Sequence, residues 1–428
     1  MNTSAKPSCR PDTFRWTILF MLFAATTINY LDRQIIAILK PVLDQELGWT
    51  DVEYGVIMSV FQASYAVGLT IFGWIVDRYG SRVGYVISIV WWSLGAISHI
   101  FAMGVKSMGA CRVLLGLGEG GNFPASVKTV TNWFPAHERV LATTLFNSGA
   151  NVGALAAPAL IPAIALACGW RAAFLAAGSL GFIWAVFWLF MPRGPRVRWK
   201  GAVKTEDAGK AHEAPALSWG RLLRYRATWS LILVRFLTDP IWWFFLFWLP
   251  DFFNKHFNFD IKESMVPLVT IYAIVTVLSI LGGALTKLMA GLGWELNRVR
   301  KVSMLIFAAC VLPVAFVQSM GMWPIVCVIG LAGAAHQAWS ASVYTLGADM
   351  FPKSSVASVT GLSSMAGQIG SVLFQTAVGF TLAYFARHGH ASAGFDVIFI
   401  VCGCAYLAAF FLLHLMVPRI RMLSPEDD

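Results

Sequence analysis

Gly73-Trp-Ile-Val-Asp77-Arg78-Tyr-Gly80-Ser-Arg82 stands between two apolar stretches, 54–76 and 83–103, each near the ~20 residues that cross a bilayer. Two such stretches joined by a few polar residues read as antiparallel membrane helices meeting in a tight turn. In that setting Gly73 allows close helix contact, and Asp77 can accept hydrogen bonds from a neighbouring helix amino terminus. Arg78 and Arg82 hold one membrane face. Basic anchoring alone accounts for Arg82 but leaves the Gly/Asp spacing unexplained.

Working outward from this turn, charges, Pro and Gly divide the 428 residues into twelve apolar stretches. They run over 16–38, 54–76, 83–103, 108–130, 140–166, 172–191, 228–253, 266–290, 302–320, 323–347, 357–385 and 395–417. The chain is 57% hydrophobic and 13% charged, against about 25% charged in soluble domains. Mean hydropathy is +0.66. The expectation is an all-α membrane protein. The first stretch is too long, and too polar at Asn29–Arg33, for a cleaved signal peptide, so it is read as a retained helix.

The net charge of +10 is a topology signal. One side collects Lys6, Arg10, Arg15, Arg78, Arg82, Arg139, the central loop, Arg298, Arg300, Lys301, Lys353, Arg419 and Arg421. The other holds Lys40, Lys106, Arg171, Lys255, Lys262 and Arg387. The positive-inside rule then places both termini and the central loop in the cytoplasm of a plasma (bacterial inner) membrane, and the nucleic-acid reading falls.

Self-similarity divides the chain. At an offset of 217, Phe134-Pro135 matches Phe351-Pro352, Asn151-x-Gly153 matches Gln368-x-Gly370, and Gly116 matches Gly333. The expected organisation is two pseudo-symmetric six-helix halves, 1–191 and 228–428, with a basic cytoplasmic linker at 192–227. In this plan a substrate site lies between the halves near the midplane. Frequent Gly and Pro inside the helices, among them Gly120-Gly121, Pro124, Pro158, Pro162 and Pro240, suit both close packing and bending between two states.

Deep ionisable residues sit on stretches 1, 4, 7 and 10: Asp32 and Arg33, Arg112 and Glu119, Arg235 and Asp239, and His336. A charge at mid-membrane costs roughly 2.5–3.5 kcal/mol, so it is paired, faces a cavity or marks a pathway. Helices carrying charge at every third position surround one polar space, as in a transporter. Arg112 and Glu119, seven apart, share a face but lie about 10 Å apart along the axis, so each needs a partner elsewhere. Burial disfavours the charged form of a Glu, so Glu119 can take up a proton, as a proton-coupled carrier requires. A structural ion network with the first helix is the plainer alternative.

Asp32 and Arg33 are adjacent and point in different directions. Gln62 and Tyr65 on stretch 2 are placed to meet that cluster, although Tyr65 also fits a packing role. Arg235 and Asp239, four apart, are spaced to neutralise each other. Trp242, Trp243 and Trp248 fit either stacking on a sugar face or a lipid-facing aromatic belt. The offset sets His336 opposite Glu119, and His336-Gln337 begins a polar run that suits sugar hydroxyls. His99 and His414 fall near helix ends, and Lys128 and Lys287 can snorkel. The seven cysteines lack metal-ligand spacing and read as apolar filler. No nucleophile, metal or cofactor motif is evident, so neither an enzyme nor a metal or cofactor site is expected. Three intramembrane arginines make the cavity unwelcoming to cationic drugs, which argues against an efflux antiporter.

N-Y-x-D-R at Asn29–Arg33, R-x-x-x-G-x-x-E at Arg112–Glu119 and the Gly73–Arg82 turn together resemble the anion:cation symporter family of the major facilitator superfamily. Arg235–Trp242, His336–Ser340 and Phe259–Glu263 look most like hexuronate transporters. The resemblance implies twelve transmembrane helices in the major facilitator fold, with protons carried at Asp32 and Glu119. Arg112 and Arg33 would hold the substrate carboxylate. The turn (Gly73, Asp77, Arg78, Gly80, Arg82) would latch the outward-facing state. Tyr65, Asn151, His336 and Gln337 are expected to meet hydroxyls. Galactonate carriers have Gln where this chain has Ala150, which speaks against galactonate. The expectation is a monomeric carrier importing galacturonate or glucuronate with protons. The alternative is a proton-coupled importer of galactonate, glucarate or a related carboxylate.

Overall fold

A computed structural model describes residues 14–134, 139–191, 219–260 and 262–422, and these are almost wholly helical. In the amino-terminal half run α1 Phe14–Ile38, α2 Lys40–Leu47, α3 Asp51–Tyr79, α4 Ser81–Ser98, α5 Val105–Glu119, α6 Asn122–Trp133, α7 Arg139–Asn147, α8 Gly149–Cys168 and α9 Trp170–Phe190. A short α10 at Trp219–Leu222 leads into the carboxyl-terminal half. There follow α11 Arg226–Phe257, α12 Met265–Gly291, α13 Leu296–Val311, α14 Met322–Met350, α15 Lys353–Arg387 and α16 Ala391–Met416.

Eleven helices among the described residues are long and apolar enough to cross a membrane. The fourth expected span is missing from that count because it is two helices, α5 and α6, meeting at Gly120-Gly121. A Cβ at either glycine would overlap the neighbouring α3 or α4, so the break coincides with close helix approach. Since α4 runs away from the Gly73–Arg82 turn and α7–α8 start back beside it, α5 and α6 together make the return crossing. Twelve crossings result among the described residues.

Local chemistry fixes the ends. Thr50 and Glu53 form a reciprocal capping box at the start of α3. Gly80, at φ +84, makes the turn into α4 where a side chain would be strained. The face carrying this turn is here named the motif face, and its opposite the far face.

The repeat has a counterpart in packing. A Cβ at Gly153 of α8 would overlap the Thr27 carbonyl oxygen of α1, and one at Gly370 of α15 would overlap the Phe236 carbonyl of α11. Glycines that match in sequence thus permit the same close crossing in each half.

Between described residues, the hydrogen bonds and ion pairs joining the halves gather toward the far face. Ser59 bonds the Val372 carbonyl at 2.8 Å, and the Tyr54 hydroxyl donates to the Phe247 carbonyl at 2.8 Å. Backbone meets backbone where Gly55 and Gly379 let α3 cross α15. Lys6, Arg10, most of the 192–227 linker, and the side chains of Asp77, Arg139, Lys287 and Lys353 lie outside the described residues.

Candidate functional site

α1, α3 and α5 converge on a polar cluster inside the amino-terminal half. Asp32, Arg33, Arg112 and Glu119 are each at most 2% exposed. Arg33 Nε donates to Glu119 Oε2 at 2.5 Å, which is the partner that the Arg112/Glu119 spacing left to be found. Arg33, expected to hold substrate, is therefore occupied by a carboxylate of its own chain in this state. Its guanidinium lies among rings, 4.4 Å from the Tyr65 centroid, 4.9 Å from Tyr30 and 5.3 Å from Trp243. Tyr65 therefore meets the cluster, as expected.

Arg112 is different. All three of its guanidinium nitrogens are buried without a hydrogen-bond partner, and its guanidinium carbon lies over the Phe61 ring, 5.4 Å from the ring centroid. Both Asp32 oxygens, Glu119 Oε1 and the amide groups of Asn29 and Gln62 are likewise unpartnered. Leaving a buried polar atom unsatisfied costs about 1–3 kcal/mol, and more for a charge. Such groups call for water, a proton, a ligand or another state to satisfy them.

Across the interface, α11 presents residues to α1, α3 and α2 in steps of four. Trp243 reaches Arg33, the Phe247 ring lies 6.1 Å from Phe61, and Asp251 Oδ1 meets Lys40 Nζ at 2.9 Å. Toward the motif face the same series continues to Asp239 and Arg235, which pair at 3.1 Å. Trp242, Trp243 and Trp248 are at most 9% exposed, so the aromatic-belt reading fails for all three. Trp242 stacks on His336 at 5.4 Å, and Trp248 donates to Gln375 at 2.6 Å. His336 Nδ1 is 2.6 Å from the Tyr406 hydroxyl. Asn151 and Gln337 are half-buried, and neither makes a side-chain hydrogen bond among the described residues. In the turn, Arg82 donates to the Met191 and Leu189 carbonyls and so caps α9 of its own half, while exposed Arg78 lies beside Trp74 and Tyr79.

Sequence reasoning missed the far-face ion cluster. Lys40, read as a topology anchor, is fully buried and meets Asp44 at 2.7 Å, Asp51 at 3.0 Å and Asp251 at 2.9 Å. Lys255 meets Asp51 at 2.7 Å and Asp251 at 3.0 Å. Burial works against the Lys40 ammonium, but Asp251, Asp51 and Asp44 outweigh it and hold its pKa well above the ordinary lysine value. The signal was present in two i,i+4 pairs, Lys40/Asp44 and Asp251/Lys255. Their mutual approach was not.

The family model described as Major Facilitator Superfamily matches residues 22–375. The chain belongs to the major facilitator superfamily. It is 30% identical over 380 residues to the hexuronate transporter of Escherichia coli (strain K12), covering 85% of this chain and 87% of that one. It is 31% identical over 257 residues to the galacturonate transporter of Dickeya chrysanthemi, covering 58% and 74%. Among solved structures, a bacterial homolog of the human lysosomal transporter Spinster, in an inward-facing and occupied conformation, superposes with TM-score 0.76 at 18% identity. It covers 98% of this chain and all of that one. The protein is thus an integral membrane transporter and not an enzyme. In this transporter the α11 series meets the polar cluster across the contact between its halves.

Proposed function

We propose that the transporter imports a hexuronate, galacturonate or glucuronate, together with protons, across the inner membrane with both termini cytoplasmic. The Arg33–Glu119 pair carries this reading. Substrate carboxylate and Glu119 compete for one guanidinium, so a proton on Glu119 frees Arg33 for the substrate. Asp32, Glu119, Arg33 and Arg112 sum to zero charge when all are ionised. Protonating both acids leaves two cations to receive one organic anion. The likeness to the hexuronate and galacturonate transporters supports the substrate class.

In the proposed cycle the outward-open protein takes protons at Asp32 and Glu119 and binds the carboxylate at Arg112 and Arg33. Tyr65, Asn151, His336 and Gln337 meet the hydroxyls. With the carboxylates neutral, the halves rock closed at the far face and open at the motif face. Proton loss to the cytoplasm restores the Arg33–Glu119 pair and expels the substrate. The state described here, with that pair formed and the far face closed, fits the end of the cycle. The Gly73–Arg82 turn would hold the opposite state.

The test is uptake of labelled galacturonate into proteoliposomes with an imposed gradient, inside alkaline. Uptake indifferent to the gradient ends proton symport, and galactonate or glucarate winning a competition ends the substrate assignment. Glu119→Gln is expected to abolish gradient-driven accumulation while sparing exchange. Loss of exchange as well assigns Glu119 to structure or binding.

A further inference from the structure

One helical turn, about 6 Å, separates Asp239 from Trp243, the residue that touches Arg33. That span is comparable to the width of a six-carbon sugar acid held by its carboxylate at Arg33. From Trp243 toward the far face, α11 is pressed against the amino-terminal half. Toward the motif face no hydrogen bond, ion pair or ring contact joins α11 to that half among the described residues, and the Asp239 side chain is 19% exposed while Arg235 is 4% exposed. Tyr344 of α14 stacks on the Arg235 guanidinium at 3.9 Å. Its ring is exposed.

Arg235 spends Nη1 on Asp239, yet its Nε and Nη2 are buried with no hydrogen bond. Gln368 Oε1, on α15, is likewise unpartnered. Its neighbour Gly367 packs so closely on Asp239 that a Cβ would overlap the carboxylate, which fixes where that carboxylate sits. The site therefore presents one anchored carboxylate, spare guanidinium nitrogens and a free amide oxygen, with zero formal charge.

From these positions we propose that Arg235, Asp239 and Gln368 form the substrate's second docking point, a hydroxyl subsite that selects sugar acids with one carboxylate over those with two. Vicinal hydroxyls satisfy such a site from both sides, donating to Asp239 and Gln368 and accepting from Arg235. A second carboxylate at that end meets Asp239 as a like charge, which is how binding sites reject wrong partners. Neighbouring His336 and Tyr406 are already bonded to each other. This inference rests on the sugar-acid reading above.

The test is inhibition of labelled galacturonate exchange in proteoliposomes by unlabelled galacturonate and by galactarate, its two-carboxylate counterpart. Exchange needs no proton gradient, so the coupling mechanism does not enter. Wild type is expected to favour the monoacid, and Asp239→Asn to narrow the ratio of inhibition constants at least about tenfold. Arg235→Gln/Asp239→Asn, which leaves no lone buried charge, is expected to narrow it too and covers the case in which the single variant fails to fold. Folded variants with an unchanged ratio overturn this inference alone. Wild type without galacturonate exchange overturns the substrate reading and this inference with it.

Discussion

Glu119 and His336 stand 217 residues apart and occupy matching points of the repeat, yet their surroundings are opposite in kind. Around Glu119, groups on Asn29, Asp32, Gln62 and Arg112 are buried without partners, and the single strong bond is Arg33–Glu119. Around His336 the polar groups are closed on one another. Its Nδ1 meets Tyr406, Tyr406 donates to the Thr238 carbonyl at 3.3 Å, and Trp339 donates to the Thr238 hydroxyl at 3.2 Å. Spare capacity at that depth sits on Arg235 and Gln368. A satisfied network rigidifies its half, while an unsatisfied one leaves a demand for water, a proton, a ligand or another conformation to meet. The difference teaches that one half is built to change its bonding and the other to keep its shape.

The sharpest way to break this comparison is to remove the two matched residues. Glu119→Leu leaves Arg33 as an unpaired buried cation and is expected to cost about 3–5 kcal/mol of stability. His336→Leu loses a neutral hydrogen bond and a ring contact, and about 1–2 kcal/mol is expected. Thermal unfolding in detergent measures both, and equal losses would erase the asymmetry.

Next in size is Lys40→Met, which leaves Asp44, Asp51 and Asp251 facing one another with Lys255 as their remaining nearby cation. Removing one member of such a set costs about 2–5 kcal/mol. Since the set bridges the halves only when the far face is closed, the loss should appear as opening there. Labelling of a cysteine placed at the far face would rise at least about tenfold, and unchanged labelling would show that the apolar contacts of α3 with α15 suffice.

A smaller effect is expected at Arg112. Arg112→Lys keeps the charge but loses the planar fork, and galacturonate affinity should fall about tenfold in exchange assays. Full affinity would remove Arg112 from carboxylate recognition.

The smallest expected effect is a pH response. The Lys40 pKa is raised in the closed state, so its contribution is fully present below the ordinary lysine value of about 10.4 and is lost only as pH rises through the higher one. Its share of far-face closure should therefore stay flat from about pH 6 to 9. A wild-type labelling change in that range that Lys40→Met abolishes would contradict this.

Much of this transporter was legible without coordinates because membrane insertion acts on local sequence. Apolar runs near 20 residues, a Gly/Asp/Arg turn and charges on stretches 1, 4, 7 and 10 follow from what lipid tolerates at each depth. The i,i+4 Arg235–Asp239 pair was equally readable, since helix geometry alone sets it. What the chain order left undecided was partnership across helices. Arg33 could not be assigned to Glu119, 86 residues away, nor Lys40 to Asp251, 211 residues away. Trp242, Trp243 and Trp248 of α11 had no assigned side until packing put them inside. Pairing energies depend on distances of a few ångströms and on local burial, and those exist only once helices distant in sequence have been packed together.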